Sequence, residues 1–243
     1  MPFDSKAYTL AYYSRIENHE YPRLQAWEFL WEYIWTFEGN WGALTSKKQI
    51  EMTALHLGFY LANWGMYRGS SRLLKNSNLD LMKDLARILF KGDGPKLFEL
   101  TLKDFSPSVD QKQLRRNQAL LDSVVASIKA FEGAKVSWTD TLITKILLGV
   151  WGEYPALDRF FKAGRVNLYP YRADVGKVSG KGLTALAKII EEMKLEFPTL
   201  KTKKAQLPYP TGRLFDMALF EHGFDIEEKK ARERGKSLST ADD

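Results

Sequence analysis

Nowhere in this 243-residue chain do apolar and polar residues alternate over more than a few positions, as a half-buried strand requires. Apolar residues return instead at helical spacing in one segment after another. A chain patterned this way closes a core only by packing helix on helix, so the expected fold class is all-α, a globular fold of about nine or ten helices. With 44% hydrophobic and 13% aromatic residues it can fill one sizeable core over residues 1–223, or two packed lobes, 1–108 and 109–223. After Gly223 the sequence turns highly charged, and residues 224–243 read as a tail.

The centre of the pattern is residues 138–164. Thr139 or Asp140 can cap a helix whose apolar positions are Leu142, Ile143, Ile146, Leu147 and Val150. Gly149 and Gly152 bracket a turn, and Pro155 suits the first position of a second helix over 156–162, giving a central helical hairpin. Asp158, beside Leu157, Phe160 and Phe161, falls near an apolar seam and needs a partner: Lys145, Arg159 or a backbone N–H at the helix start.

Two earlier helices carry the other strong patterns. Trp27, Trp31 and Trp35 recur at i, i+4, i+8, an aromatic stripe opposite an acidic face of Glu28, Glu32 and Glu38. The helix over 46–66 is apolar almost all round and is expected to be packed on several sides near the centre of the fold. His56, Tyr60 and Asn63 draw a polar line along it, read either as hydrogen-bonded core residues or as the wall of a small-ligand pocket.

The formal charge of +6 is concentrated. Residues 67–91 hold six basic against two acidic side chains, and residues 159–204 hold eleven against four. Clustering of this kind suits a polyanion. In the first segment Arg68 and Arg72 flank a Gly-Ser turn able to meet a phosphate or carboxylate. In the second, residues 176–182, GKVSGKG, lead into a helix, so Lys177 and Lys181 would flank free N–H groups in a phosphate cradle. No GxxxxGK[ST] is present, nor a complete GxGxxG following a strand pattern.

Several classes are disfavoured. There is no cysteine, the three histidines are scattered and HExxH is missing, so no metal site and no cofactor is implied. No apolar run approaches a membrane span, and MPFDSKAYTL lacks the order of a signal peptide; the expectation is a cytoplasmic protein without a membrane partner.

The segment LLGVWGEYPALD, residues 147–158, resembles the turn of helix-hairpin-helix DNA-binding proteins, and the order of hairpin, short helix and aspartate resembles the DNA glycosylases built on it. The resemblance covers about forty residues. It implies that the backbone at Gly149 and Gly152 binds phosphates and that Asp174 balances positive charge developing on the sugar, with Asp158 the other carboxylate to consider. FYLANWGMYRGSS and LFDMALFEHG also resemble stretches of bacterial proteins of similar size without an assigned activity. The favoured reading is thus a nucleic-acid-binding helical protein, DNA first, positioned by Arg68, Arg72, Lys177 and Lys181, with Trp151 or Tyr171 to stack on a base. Two alternatives stand beside it. One is a helical interaction or regulatory protein meeting an acidic protein partner; the other is a small-molecule enzyme using His56, Tyr60 and Asn63.

Overall fold

The computed structural model describes residues 3–20, 22–68, 71–131, 135–170 and 173–235. These form ten α-helices joined by loops and short 3-10 turns; no β-strand occurs among the described residues, and one isolated bridge pairs Lys201 with Pro208. The fold is all-α. No helix among the described residues is long and apolar enough to cross a membrane.

The helix at the centre is α7, Asp140–Val150, buried at every position from Leu142 to Val150. Packed against it are α2, Ala26–Trp35, and α3, Ile50–Asn63. The expectation that α3 would be enclosed on several sides fails: Met52, Leu55 and Phe59 are 48%, 55% and 54% exposed. These positions share one face, and only the opposite face, with Leu57, Tyr60 and Leu61, is buried. Periodicity cannot distinguish an apolar face covered by a neighbour from one left open.

On α2 the tryptophan stripe is a core feature. Trp27 stacks on Trp31 with ring centroids 5.2 Å apart, and Trp31 lies 4.6 Å from Trp35. The acidic residues beside them are not simply solvated. Glu28 and Glu32 are buried: Glu28 accepts from Tyr209 Oη at 2.5 Å, and Glu32 Oε1 accepts the backbone N–H groups of Lys204 and Ala205 at 3.1 and 2.6 Å. Burial of a carboxylate requires such donors, and the basic loop after residue 200 supplies them.

The second half closes the core. The helix α5, Leu79–Phe90, packs on α3, while α6, Gln111–Lys129, packs on α9, Gly180–Glu192. The most extensive pairing is between α8, Arg159–Leu168, and α10, Thr211–Glu233, with α1, Ser5–Glu17, against the other side of α10. Backbone meets backbone between α8 and α10: a Cβ on Gly223 would lie 1.9 Å from the Phe160 carbonyl oxygen, and one on Gly164 would lie 2.2 Å from that of Leu219. Gly223 therefore marks a close helix crossing, and α10 continues through it into the charged segment as far as Glu233.

Candidate functional site

The turn after α7 is built for packing. The backbone N–H groups of Trp151 and Gly152 both donate to the Leu147 carbonyl, at 2.9 and 3.1 Å, and Gly152 has φ +76°. Those donors are consumed in ending the helix, as helix C-termini require. Gly149 lies within α7, where a Cβ would come within 2.6 Å of Tyr60 and 2.9 Å of Leu30; a Cβ on Gly152 would lie 2.3 Å from Pro210. The expectation of a phosphate-binding turn at Gly149 and Gly152 is corrected accordingly. Trp151 is corrected too: it is buried, its indole N–H donates to the Leu100 carbonyl at 2.8 Å, and Phe105 meets its ring edge-on. No face of it is available to a base.

Pro155 does not begin a helix. The chain runs irregularly to Asp158, which caps α8: its Oδ1 accepts from Phe161 N at 3.0 Å while Oδ2 lies 3.8 Å from Lys145 Nζ. Lys145 is itself buried and donates to the Trp64 carbonyl at 2.9 Å. Both partners of Asp158 are thus structural, and the residue is buried. Arg213 and Asp216 complete a buried group of charges. The guanidinium lies 2.5 Å from the Asp216 carboxylate, donates to Tyr12 Oη at 3.1 Å, and sits over the Tyr12, Trp27 and Trp64 rings at 4.9, 5.2 and 4.8 Å. Burial pushes the Asp216 carboxyl up to about 6, against the opposing pull of Arg213. In the same region burial raises Glu153 to about 7, although backbone N–H groups of Gly212 and Leu102 hydrogen-bond to it.

Among the described residues, His56, Tyr60 and Asn63 each turn to a different neighbour. His56 stacks on Tyr33 with centroids 4.0 Å apart, Tyr60 Oη donates to the Lys145 carbonyl at 2.9 Å, and Asn63 Nδ2 donates to the Phe59 carbonyl at 2.9 Å. Each polar group has its own separate partner; Tyr60 is a buried, hydrogen-bonded core residue, while His56 and Asn63 are half-buried. Burial lowers the His56 pKa from its ordinary 6.5 and so favours the neutral ring.

The glycine-lysine loop is also committed internally. Ser179 caps α9 by accepting from Gly182 N at 3.0 Å, and Gly180 N donates to Asp122 Oδ1 at 2.7 Å. A Cβ on Gly180 would meet the Gln118 backbone at 2.5 Å, so this glycine lets α9 approach α6. The cradle of free N–H groups is corrected to a helix cap, while the Lys177 and Lys181 side chains remain exposed. Tyr171 lies outside the described residues, and so does the side chain of Asp174.

What the fold does assemble is a basic groove of about 730 Å³ beside the end of α3. Arg68 follows α3, Arg72 and Lys75 belong to the turn and short helix α4, Leu73–Asn76, and Lys135 arrives from the linker between α6 and α7. All four are exposed, and no carboxylate among the described residues lines the groove. Local bonds hold it in shape. Asn76 Nδ2 donates to the Arg72 and Lys135 carbonyls at 3.1 and 3.0 Å, and Ser137 N donates to the Ser71 carbonyl at 2.9 Å. A second depression, lined by Arg72, Lys135, Val136 and Ser137, shares two of these cations. Arg72 itself has φ +59°, a left-handed conformation that costs an L-residue roughly 1–2 kcal/mol.

Comparison with known proteins finds no matching family model, no matching curated protein and no matching solved structure. The resemblance to helix-hairpin-helix proteins therefore rests on the turn residues alone.

Lys135 and Lys75 were not singled out by sequence. Lys75 lies within the basic segment 67–91, which was the available signal, whereas Lys135 stands in a mixed-charge region and is brought to Arg72 only by the tertiary fold. A further basic surface lies on α6, where Lys112, Arg115 and Arg116 line a shallow depression together with Asp110.

Proposed function

We propose that this protein is a nucleic-acid-binding helical module that holds the phosphate backbone in the groove of Arg68, Arg72, Lys75 and Lys135. The observation that carries the reading is the convergence of four cations from two stretches of chain, 68–75 and the linker at Lys135, on one groove with no carboxylate among its described lining residues. Charges arranged in this way attract phosphates without reading sequence, so binding would be salt-dependent and tolerant of sequence. Asp158 takes no catalytic part in this reading, because it is a buried helix cap.

The test is the salt dependence of binding to a fluorescent oligonucleotide. Replacing Lys75 and Lys135 together with alanine should lower the slope of log K against log salt by about 1.5, at ~0.7–0.9 per phosphate contact. An unchanged slope would remove the groove from the interface. A loss of slope in Lys177→Ala/Lys181→Ala alone would move the interface to α9.

One observation favours a second reading, a protein-interaction role. Phe29, 45% exposed, stands on α2, and its backbone hydrogen-bonds His56 of α3, the helix that exposes Met52, Leu55 and Phe59. Exposed apolar side chains grouped in this way mark protein contacts. Concentration-dependent sedimentation that Leu55→Asp abolishes would support it; a monomer at all concentrations, with no partner sensitive to that substitution, would count against it.

A further inference from the structure

We infer that the basic groove accepts an unpaired nucleotide, with its base against Leu74 and Tyr67 and its neighbouring phosphates on the surrounding cations. This deepens the nucleic-acid reading above and rests on it. Leu74 is 69% exposed, more than any other large hydrophobic side chain described. The cause is local: Leu73 is fully buried and anchors α4, so the next residue of so short a helix points outward. An outward leucine needs no explanation by itself. This one lies in the lining of a groove whose other members include four cations and the half-buried ring of Tyr67.

The combination discriminates between forms of nucleic acid. A duplex keeps its bases stacked inside and would present phosphate and sugar to Leu74, satisfying the cations while wetting or burying nothing apolar of its own. A single strand can turn a base face onto Leu74 and Tyr67 while its flanking phosphates meet Arg72, Lys75 and Lys135; apolar platforms within basic grooves bind single strands on this principle. Asn76 cannot donate to a base, since its side-chain N–H groups are committed to the Arg72 and Lys135 carbonyls. The pocket would therefore accept any base, with the stronger-stacking purines favoured modestly.

The experiment compares three labelled probes of equal length at one low ionic strength: an intact single strand, an abasic strand with the same phosphates, and a duplex. The intact strand should bind about tenfold more tightly than the abasic one, as loss of a stacked base predicts. Leu74→Ala should lower that ratio without changing abasic affinity, the Tyr67 ring keeping part of it, and Leu74→Phe should widen it. Since Leu74 is mostly exposed, neither substitution disturbs the core. Equal affinity for intact and abasic strands, or a ratio indifferent to both substitutions, overturns the base pocket and leaves the polyanion groove standing. Failure of all three probes to bind overturns both.

Discussion

The Glu153 carboxylate accepts the backbone N–H of Gly212 at 3.0 Å inside the core, at the first turn of α10. Hydrogen bonds from Gly212 and Leu102 favour its ionised form, yet burial dominates and holds the native pKa near 7, above the ordinary 4.5. The folded protein therefore keeps this proton over an interval in which the unfolded chain loses it. Stability from this group is fully present below about pH 4.5 and declines as pH rises to about 7, by about 3 kcal/mol across the interval. Asp216 acts in the same sense between its ordinary 3.8 and about 6. The difference in urea midpoint between wild type and Glu153→Gln should consequently keep changing from pH 6 to 7, since Asp216 is present in both proteins and cancels from that difference. A constant difference over that unit would show that Glu153 is ionised throughout.

Arg213 and Asp216 predict strong non-additivity. Asp216→Ala leaves a guanidinium buried without its carboxylate and should cost about 3–5 kcal/mol in denaturant unfolding. Replacing both with apolar residues, Arg213→Met with Asp216→Leu, should cost less than the sum of the single substitutions. Additive losses would mean that the two charges are not coupled.

Asp158 separates capping from charge pairing. Asparagine can still cap α8, so Asp158→Asn removes chiefly the charge opposite Lys145, an expected loss of ~1–3 kcal/mol. Asp158→Ala also removes the bond to Phe161 N and should be worse by about 1 kcal/mol. Equal thermal stability of the two variants would deny the cap its contribution.

At Arg72 strain and binding pull apart. Glycine adopts a φ of +59° without a Cβ penalty, so Arg72→Gly should keep or raise the melting temperature, by a stabilisation of about 1 kcal/mol. The same variant should bind oligonucleotide more weakly, with a salt slope smaller by about 0.7–0.9. A lower melting temperature would identify the arginine side chain as a support of the turn.

Helical spacing was sufficient to locate the main helices, because burial of α7 and the tryptophan stripe of α2 write themselves into the order of residues. It could not tell which apolar faces find a neighbour. Leu57 and Leu55 are equally apolar, yet one is buried and the other open to solvent. Glycine was the least legible residue. Gly149, Gly152, Gly180 and Gly182 looked like places for a phosphate to approach, whereas at each of them protein atoms occupy the space a Cβ would need. The groove combines Arg72 with Lys135, sixty-three positions apart, and only folding makes that pair visible.

The contact between α1 and α10 bears on how the molecule reaches this state. Thr9 Oγ1 donates to the Leu214 carbonyl and Tyr12 Oη receives Arg213, across 205 and 201 positions of chain. Until α10 arrives, Tyr12, Trp27 and Trp64 surround a place that nothing fills. Loop closure over such separations is slow, because its entropic cost falls due before the contacts that reward it have formed. Removing α10 would therefore uncover Tyr12 and the Trp27 and Trp64 rings that Arg213 covers.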